Sequence, residues 1–452
     1  MDQTGALWAS GGGLISSNVK KMKWKATGLI FVAGVAQVFG KPNIIFIMAD
    51  DLGYGGLSCY GNKVIKTPHL DALAASGVKC TDFHSNGAVC SPTRAALMTG
   101  RYQQRSGVEG VITAKSHREV GLGLEEKTMA EAMKELGYAT ALFGKWHLGY
   151  DRKFGPVKQG FDEFEGFVSG NVDYHNHIDQ EGFFDWWKQD KKEDEKGYIT
   201  DLITEDALGF IERKKAEPFL LVLHHGAPHY PIQDRDTPGF REVRDGKGKR
   251  APQPKVDRPA VYARMVEIMD EGVGRIVAKL DELKLRENTL LVFCSDNGPA
   301  MTVSPVDLRG RKGQLFEGGH RVPGIFNWPS VLPKGSECST PIMTMDLMPT
   351  FIAMAEGKAV EGLDGRDVTG ILKGKETKRE PLFWRFKGHV AVRDGKWKLL
   401  RQKGKKAMLF DLSKDRGETI DLSEKAPDQA QRLLQLIEDW EKDVTKEEKV
   451  SQ

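Results

Sequence analysis

Cysteine is scarce. Five in 452 residues are too few for a disulfide scaffold, and the odd number leaves at least one thiol over for chemistry, metal or nothing. Runs of about 20 apolar residues, the length a spanning helix needs, are missing. Neither sign of charge dominates: 66 basic against 63 acidic residues give a formal +3. Such a balance offers no field strong enough to make nucleic acid or an anionic membrane the main partner. Internal repeats and low-complexity tracts are absent. What is present is a globular composition, 40% hydrophobic with 50 glycines besides. The chain is long enough for about three domains or one large α/β core.

Lys20, Lys21, Lys23 and Lys25 precede a mostly apolar run from Ala26 to Phe39, with Gly34-Val35-Ala36 as a small-residue cleavage site. This is signal-peptide grammar, so residues 1–40 are expected to be a leader and the protein exported, periplasmic or secreted. Met22 competes with Met1 as the start. Further on, Asn43 to Ala49 is continuously apolar, as a strand covered on both faces is, and it meets Asp50-Asp51. The pattern recurs at Phe219 to Leu223, running into His224-His225, and at Leu290 to Phe293, running into Asp296-Asn297. Helical patterns cover Lys127 to Leu136, Val261 to Leu283 and Met345 to Ala355. Strands alternating with helices predict an α/β fold with a large mixed, mostly parallel sheet, whose ligands gather at the carboxyl ends of the strands.

From about Pro381 the texture changes to short alternating strands, His389 to Arg393 and Lys396 to Arg401, and then a helix from Pro427 to about Lys442. A catalytic domain at 41–380 and a small α+β subdomain at 381–452 are therefore expected after the leader. Asp234 to Val256, rich in Pro, Gly and charge, reads as a surface loop with a solvated basic run, Lys247 to Arg250.

Cys90-Ser91-Pro92-Thr93-Arg94 opens a helix that runs to Gly100, with Ser91 suited to the N-cap and Pro92 to the first helical position. Cys90 then sits at the positive end of a helix dipole, where an oxygen or sulfur anion is stabilised, and Arg94 adds a fixed charge. A lone Cys reads as readily as a small buried apolar residue. Asp50, Asp51, Asp296 and Asn297 offer oxygen alone from two strand ends, a set that suits Ca2+ or Mg2+ better than zinc. Asp-Asp by itself is equally turn chemistry. Lys145 and His147 face one side of an extended segment, with Trp146 on the other. His229 lies in a Pro-bent loop after His224 and His225, a placement suited to proton transfer. Asn171 to Trp187 holds Tyr174, His175, His177, Trp186 and Trp187, and reads equally as a stacking platform for sugar or as a packed lid.

The Cys90 motif, continued through Leu97-Met98-Thr99-Gly100-Arg101, resembles the type I sulfatase signature. Gly144-Lys145-Trp146-His147-Leu148-Gly149 resembles the second signature of that family. The likeness runs from Pro42 to Asp443 and takes in Asp50-Asp51, Asp296-Asn297-Gly298, Lys312 with Glu317-Gly318-Gly319, Val392-Arg393-Asp394-Gly395 and Leu409-Phe410-Asp411-Leu412. The resemblance implies an alkaline-phosphatase-like fold and an arylsulfatase-like hydrolase of sulfate monoesters. It further implies that a maturation enzyme oxidises Cys90 to formylglycine. One Ca2+, or Mg2+, would be held by Asp50, Asp51, Asp296, Asn297 and the aldehyde hydrate at position 90.

By the same resemblance, a hydrate hydroxyl attacks sulfur to form a covalent sulfoenzyme intermediate, and Arg94, Lys145 and Lys312 offset charge on the sulfuryl oxygens. His229, with Lys312 nearby, serves the leaving oxygen, and His147 is the base for sulfate release. Ser169, Asn171 and Asp173 are open as a further sulfate contact. The expected substrate is a sulfated small molecule or glycan, with sulfated sugar favoured. A phosphonate or phosphate ester hydrolase of the same superfamily and a glycan-binding pseudoenzyme are the alternatives. Cys59, Cys80, Cys294 and Cys338 allow two bridges in three pairings.

Overall fold

Strand β1 (Asn43–Ala49) is buried along its whole length. Ile44, Phe46 and Met48 pack into one hydrophobic layer and Ile45, Ile47 and Ala49 into another, which is why the run is continuously apolar. The computed structural model describes residues 40–301 and 306–445, and the leader expected at 1–40 falls outside them except for its last residue. The remaining strands of the main sheet are β2 (Val78–His84), β3 (Ala139–Lys145), β4 (Glu163–Phe167), β5 (Trp187–Lys188), β6 (Lys191–Lys192), β7 (Phe219–His224), β8 (Thr289–Ser295), β9 (Arg321–Asn327), β10 (Ser336–Cys338) and β11 (Ile342–Met343). Their order is β10-β2-β9-β8-β1-β7-β3-β4-β5-β6, with β11 also beside β2. From β8 through β4 the strands run parallel. β9 is antiparallel to both its neighbours, giving the mixed, mostly parallel sheet expected.

The helices are α1 (Pro68–Ala75), α2 (Cys90–Thr99), α3 (Met129–Glu135), α4 (Ile199–Lys214), α5 (Arg258–Glu282), α6 (Glu317–His320), α7 (Leu347–Met354), α8 (Thr369–Leu372) and α9 (Pro427–Val444). Met98, Met129, Met133 and Phe351 carry α2, α3 and α7 onto one face of the sheet, while Leu70, Ile203, Phe210, Met265 and Met269 carry α1, α4 and α5 onto the other. α3 starts with a Thr128–Glu131 capping box. α5 starts three residues before its apolar period does, because Asp257 caps the N–H of Ala260 and Pro259 suits the first turn.

Strands β12 (Leu382–Phe386), β13 (His389–Asp394), β14 (Trp397–Arg401) and β15 (Met408–Asp411) form a separate antiparallel sheet. Leu433, Ile437 and Val444 of α9 pack on it, in one cluster with Ala88 and Val89 before Cys90 and with Leu315 and Phe316 after Lys312. The small sheet thus backs two segments that reach the site. All five cysteines are free thiols, although Cys80 and Cys338 stand opposite each other in register. Among the described residues no helix is long and apolar enough to cross a membrane.

Candidate active site

Because β1, β3, β7 and β8 are parallel, their carboxyl ends deliver Asp50-Asp51, Lys145, His224 and Asp296-Asn297 to one edge of the sheet. Asp51 and His147 both adopt left-handed backbone, φ +65 and +57, a conformation Asp and His tolerate better than most residues. The turn at Asp51 sends consecutive carboxylates into one centre. The extended reading of Lys145 to His147 is corrected: β3 ends at Lys145. Lys145 reaches Asp50 Oδ2 at 2.6 Å, whereas His147 lines the adjoining cavity.

Helix α2 begins at Cys90 itself, with the extended residue Val89 as N-cap, so the capping roles expected of Ser91 and Pro92 are not taken. Ser91 Oγ instead accepts the N–H of Ile112 at 3.1 Å. Cys90 Sγ lies 3.5 Å from Asp50 Oδ1 and 3.4 Å from Lys312 Nζ. Burial, then the Asp50 carboxylate, pushes its thiol up to about 12, so the stabilised sulfur anion expected at the helix start is overruled by desolvation.

Three carboxylates are matched by three cations. Arg94 Nη2 donates to Asp296 Oδ2 at 2.9 Å and its Nη1 to the Lys145 carbonyl at 3.0 Å. Lys312 Nζ is 2.7 Å from Asp51 Oδ1, which also accepts from Asn297 Nδ2 at 2.7 Å. Burial and then the Asp50 carboxylate push Asp296 up to about 6. Burial acts upward on Asp51 too, but Lys312 and His229 hold it down to about 2. The residues fit a hard cation. Ligand atoms of Asp50, Asp51, Cys90 and His229 all lie within 4.8 Å of one another, and the buried Asn297 Oδ1 has no hydrogen-bond partner. His229, expected in proton transfer alone, joins that cluster.

The two site histidines hold opposite tautomers. His147 Nε2 is 2.9 Å from the Ile112 carbonyl, which only accepts, so Nε2 carries the hydrogen and the buried Nδ1, without a partner, is a bare lone pair. Burial, then Lys145 and Arg94, hold its pKa well below the usual value. A Cβ at Gly170 would lie 2.9 Å from that Nε2, so glycine admits the ring. His229 Nδ1 is 2.7 Å from the Tyr230 carbonyl and its Nε2 is 3.6 Å from Asp51. Burial, then Lys312, lowers it to about 3. Lys312 keeps its proton: burial opposes this, but Asp51 and Cys90 hold its pKa well above the usual value.

Cys90, His147, His229 and Lys312 open into a cavity of about 330 Å3. Ser169 and Asn171 line it. Asp173 does not, being occupied by the N–H groups of Phe240 and Arg241. The aromatic segment is a packed wall: Tyr174 stacks on Tyr198, His177 lies 4.8 Å from Trp186, and none of these rings lines the cavity. His224 is buried behind the site, its Nδ1 3.0 Å from the Lys145 carbonyl, and His225 is buried too. Arg309 packs over Phe316 and donates to the Glu418 carbonyl. Thr113, Lys115, Ser116, Tyr150, Gln180 and Glu181 were not singled out by the sequence and line the cavity, as does Arg250, which is paired with Glu181 and not simply solvated. Polar loop residues leave no periodic trace, so only the fold reveals them.

Residues 42–357 match the Sulfatase family, and residues 311–443 match the family described as N-sulphoglucosamine sulphohydrolase, C-terminal. The chain is 33% identical to steryl-sulfatase of Mus musculus, over 76% of this chain and 66% of that protein. With N-acetylgalactosamine-6-sulfatase of Canis lupus familiaris it shares 31% identity, over 83% of this chain and 75% of that protein. The crystal structure of Ps i-CgsB, also solved in complex with k-i-k-neocarrahexaose, is similar at a TM-score of 0.80 and 34% identity, covering 88% of this chain and 92% of that one. The family match takes in β1 through α7 and every residue of the centre described above, and the chain accordingly belongs to the sulfatase family, hydrolases of sulfate esters.

Proposed function

We propose that this protein hydrolyses sulfate monoesters of carbohydrates, through formylglycine made from Cys90 by a maturation enzyme and with one Ca2+ bound. The observation that carries the carbohydrate reading is the cavity wall. Thr113, Lys115, Ser116, Gln180, Glu181 and Arg250 offer donors and acceptors in the lining, beside Val111, Ile112 and Ala114, and the hydroxyls of a sugar can use them where a sterol cannot. The complex of Ps i-CgsB with an oligosaccharide supports the same reading. The basic and apolar pattern of Lys20 to Phe39 supports export to the periplasm or the medium.

Asp50, Asp51, Asp296 and Asn297 would hold the ion, which when bound offsets negative charge on a sulfuryl oxygen. The hydrated aldehyde at position 90 supplies a hydroxyl nucleophile and a second hydroxyl for sulfate release, which neither Cys nor Ser offers. The chain's own side chains do the rest. Arg94 and Lys145, both fully buried, keep fixed positive charge beside position 90 in a site with little water to screen it. Nδ1–H of His229 is spent on the Tyr230 carbonyl, so proton delivery to a leaving alkoxide falls first to Lys312, with His229 Nε2 holding that corner of the site. His147, neutral with a bare Nδ1, is the proton acceptor.

A sulfate monoester carries one negative charge, whereas a phosphate dianion would put more charge beside Asp50, Asp51 and Asp296. The test is kcat/KM for matched aryl sulfate, phosphate and phosphonate esters, on protein whose Cys90 peptide has lost sulfur and gained a carbonyl by mass spectrometry. The sulfate value is expected to be highest. A larger phosphate or phosphonate value overturns the reading in favour of an ester hydrolase of the other kind, full activity with an unmodified thiol overturns the formylglycine, and absence of all turnover favours a pseudoenzyme.

A further inference from the structure

The loop from Asp234 to Val256 closes onto the segment that follows β4. Backbone N–H groups of Arg244 and Asp245 donate to the Gly182 carbonyl at 2.8 and 3.1 Å, and that of Gly246 to the Glu181 carbonyl at 2.8 Å. Arg244 Nη2 adds a bond to the Gln180 carbonyl at 3.1 Å. Gly182 sits at φ +82, and a Cβ on it would come within 2.7 Å of Arg244 Cβ, so glycine is what lets the two loops meet. This lock sets the Arg250 guanidinium against the Glu181 carboxylate, with Gln180 Oε1 at 3.5 Å. The arginine side chain is 57% exposed and the glutamate 19%, and both line the cavity that holds position 90. A guanidinium has five N–H donors and a carboxylate about four acceptor sites, so a single ion pair leaves most of both free for a ligand.

We propose that Glu181 and Arg250 are a specificity pair that binds two hydroxyls of the sulfated sugar, Arg250 donating to one and Glu181 accepting from the other. The proposal rests on the carbohydrate reading above. Hydroxyls, each both donor and acceptor, bridge the pair without separating its charges. A second sulfate would meet an arginine already neutralised and a carboxylate that repels it.

The test compares wild type, Glu181→Leu and Arg250→Met on 4-nitrophenyl sulfate, N-acetylgalactosamine 6-sulfate and k-i-k-neocarrahexaose. A lost hydrogen bond to a charged group corresponds to about tenfold or more. In each variant kcat/KM for the saccharide the wild type cleaves should therefore fall about tenfold further than for the aryl ester, chiefly through KM, with Arg250→Lys restoring part. Equal losses on both substrates, or none on the saccharide, overturn the proposal. A Glu181→Leu protein that gains on a saccharide bearing a second sulfate supports the repulsion by Glu181, whereas a wild type that already cleaves the doubly sulfated saccharide better than the singly sulfated one overturns the proposal and assigns the place to an anion. Wild type active on the aryl ester and on no saccharide refutes the carbohydrate reading itself, and the specificity pair with it.

Discussion

At position 90 a helix start favours negative charge and burial opposes it, and burial prevails for sulfur. Burial weighs on an oxygen anion as well, so the charge balance at this position falls to the neighbouring cations and metal ligands, which can be tested directly. Chelation should abolish turnover, and Ca2+ should restore it better than zinc, since Asp50, Asp51, Asp296 and Asn297 offer oxygen only. Asp296→Ala should lose Ca2+ binding by calorimetry together with activity, and full activity in metal-free protein counts against this ligand set. Lys312 gives a second test. Lys312→Met should slow sulfated sugars at least about a hundredfold, the size of a lost general acid, and slow activated aryl sulfates far less. His229→Ala, whose Nδ1 proton is committed to Tyr230, should discriminate less between the two leaving groups. Stronger discrimination by His229→Ala than by Lys312→Met would return the acid role to the histidine.

Among the elements, β7 shows both what a pattern of residues can reveal and what it cannot. Its apolar run is plain in the sequence, yet the environment of His224-His225 at its end depends on the helices packed around it. His225 is 1% exposed, and burial lowers it to about 4, with Asp201 opposing. Its ordinary value is about 6.5, so between those limits the unfolded chain binds the proton and the native state does not. The stability at stake is fully present above about pH 6.5 and is lost as pH falls through about 4, on the order of 3 kcal/mol for that separation. His225→Leu should therefore show a smaller drop in its urea midpoint between pH 7 and pH 4.5 than wild type. An identical drop would mean that His225 is protonated in the folded protein. Helix α2 carries the complementary lesson. Ser91-Pro92 has the composition of a helix start, but the two are the second and third residues of the helix, where Ser91 instead meets Ile112 from a loop whose approach no local pattern records.

On the scale of the whole molecule, the C-terminal sheet is joined to α6, which begins five residues after Lys312, by a buried ionic network. Lys398 Nζ lies 2.9 Å from both Glu317 and Glu418 and 3.1 Å from His320 Nε2, and Glu418 accepts the N–H of Glu317 at 2.6 Å. Burial pushes Glu418 up to about 7, with Lys398 holding it back. Lys398→Met would leave the buried Glu418 without its cation, while Glu317 keeps Arg321 at 3.0 Å, and should cost about 3–5 kcal/mol in denaturant unfolding. Lys398→Met/Glu418→Gln should recover part of that, because the second change removes the stranded charge. A cost below about 1 kcal/mol for the single variant would show that water reaches the network.

The buried strands β1, β7 and β8 alternating with helices, the carboxylates at the strand ends and the Cys90 and Lys145 motifs were legible in the sequence, because each is local: periodicity, a strand's terminal residues and short motifs need no partner to be seen. The tertiary structure alone decided how those residues are used. It placed Arg250 against Glu181 across some 70 residues of chain, turned the aromatic segment into packing, raised the Cys90 thiol and drew Lys398 to Glu317. Each of these depends on burial and on which distant groups share a small volume, and neither quantity exists until the chain is folded.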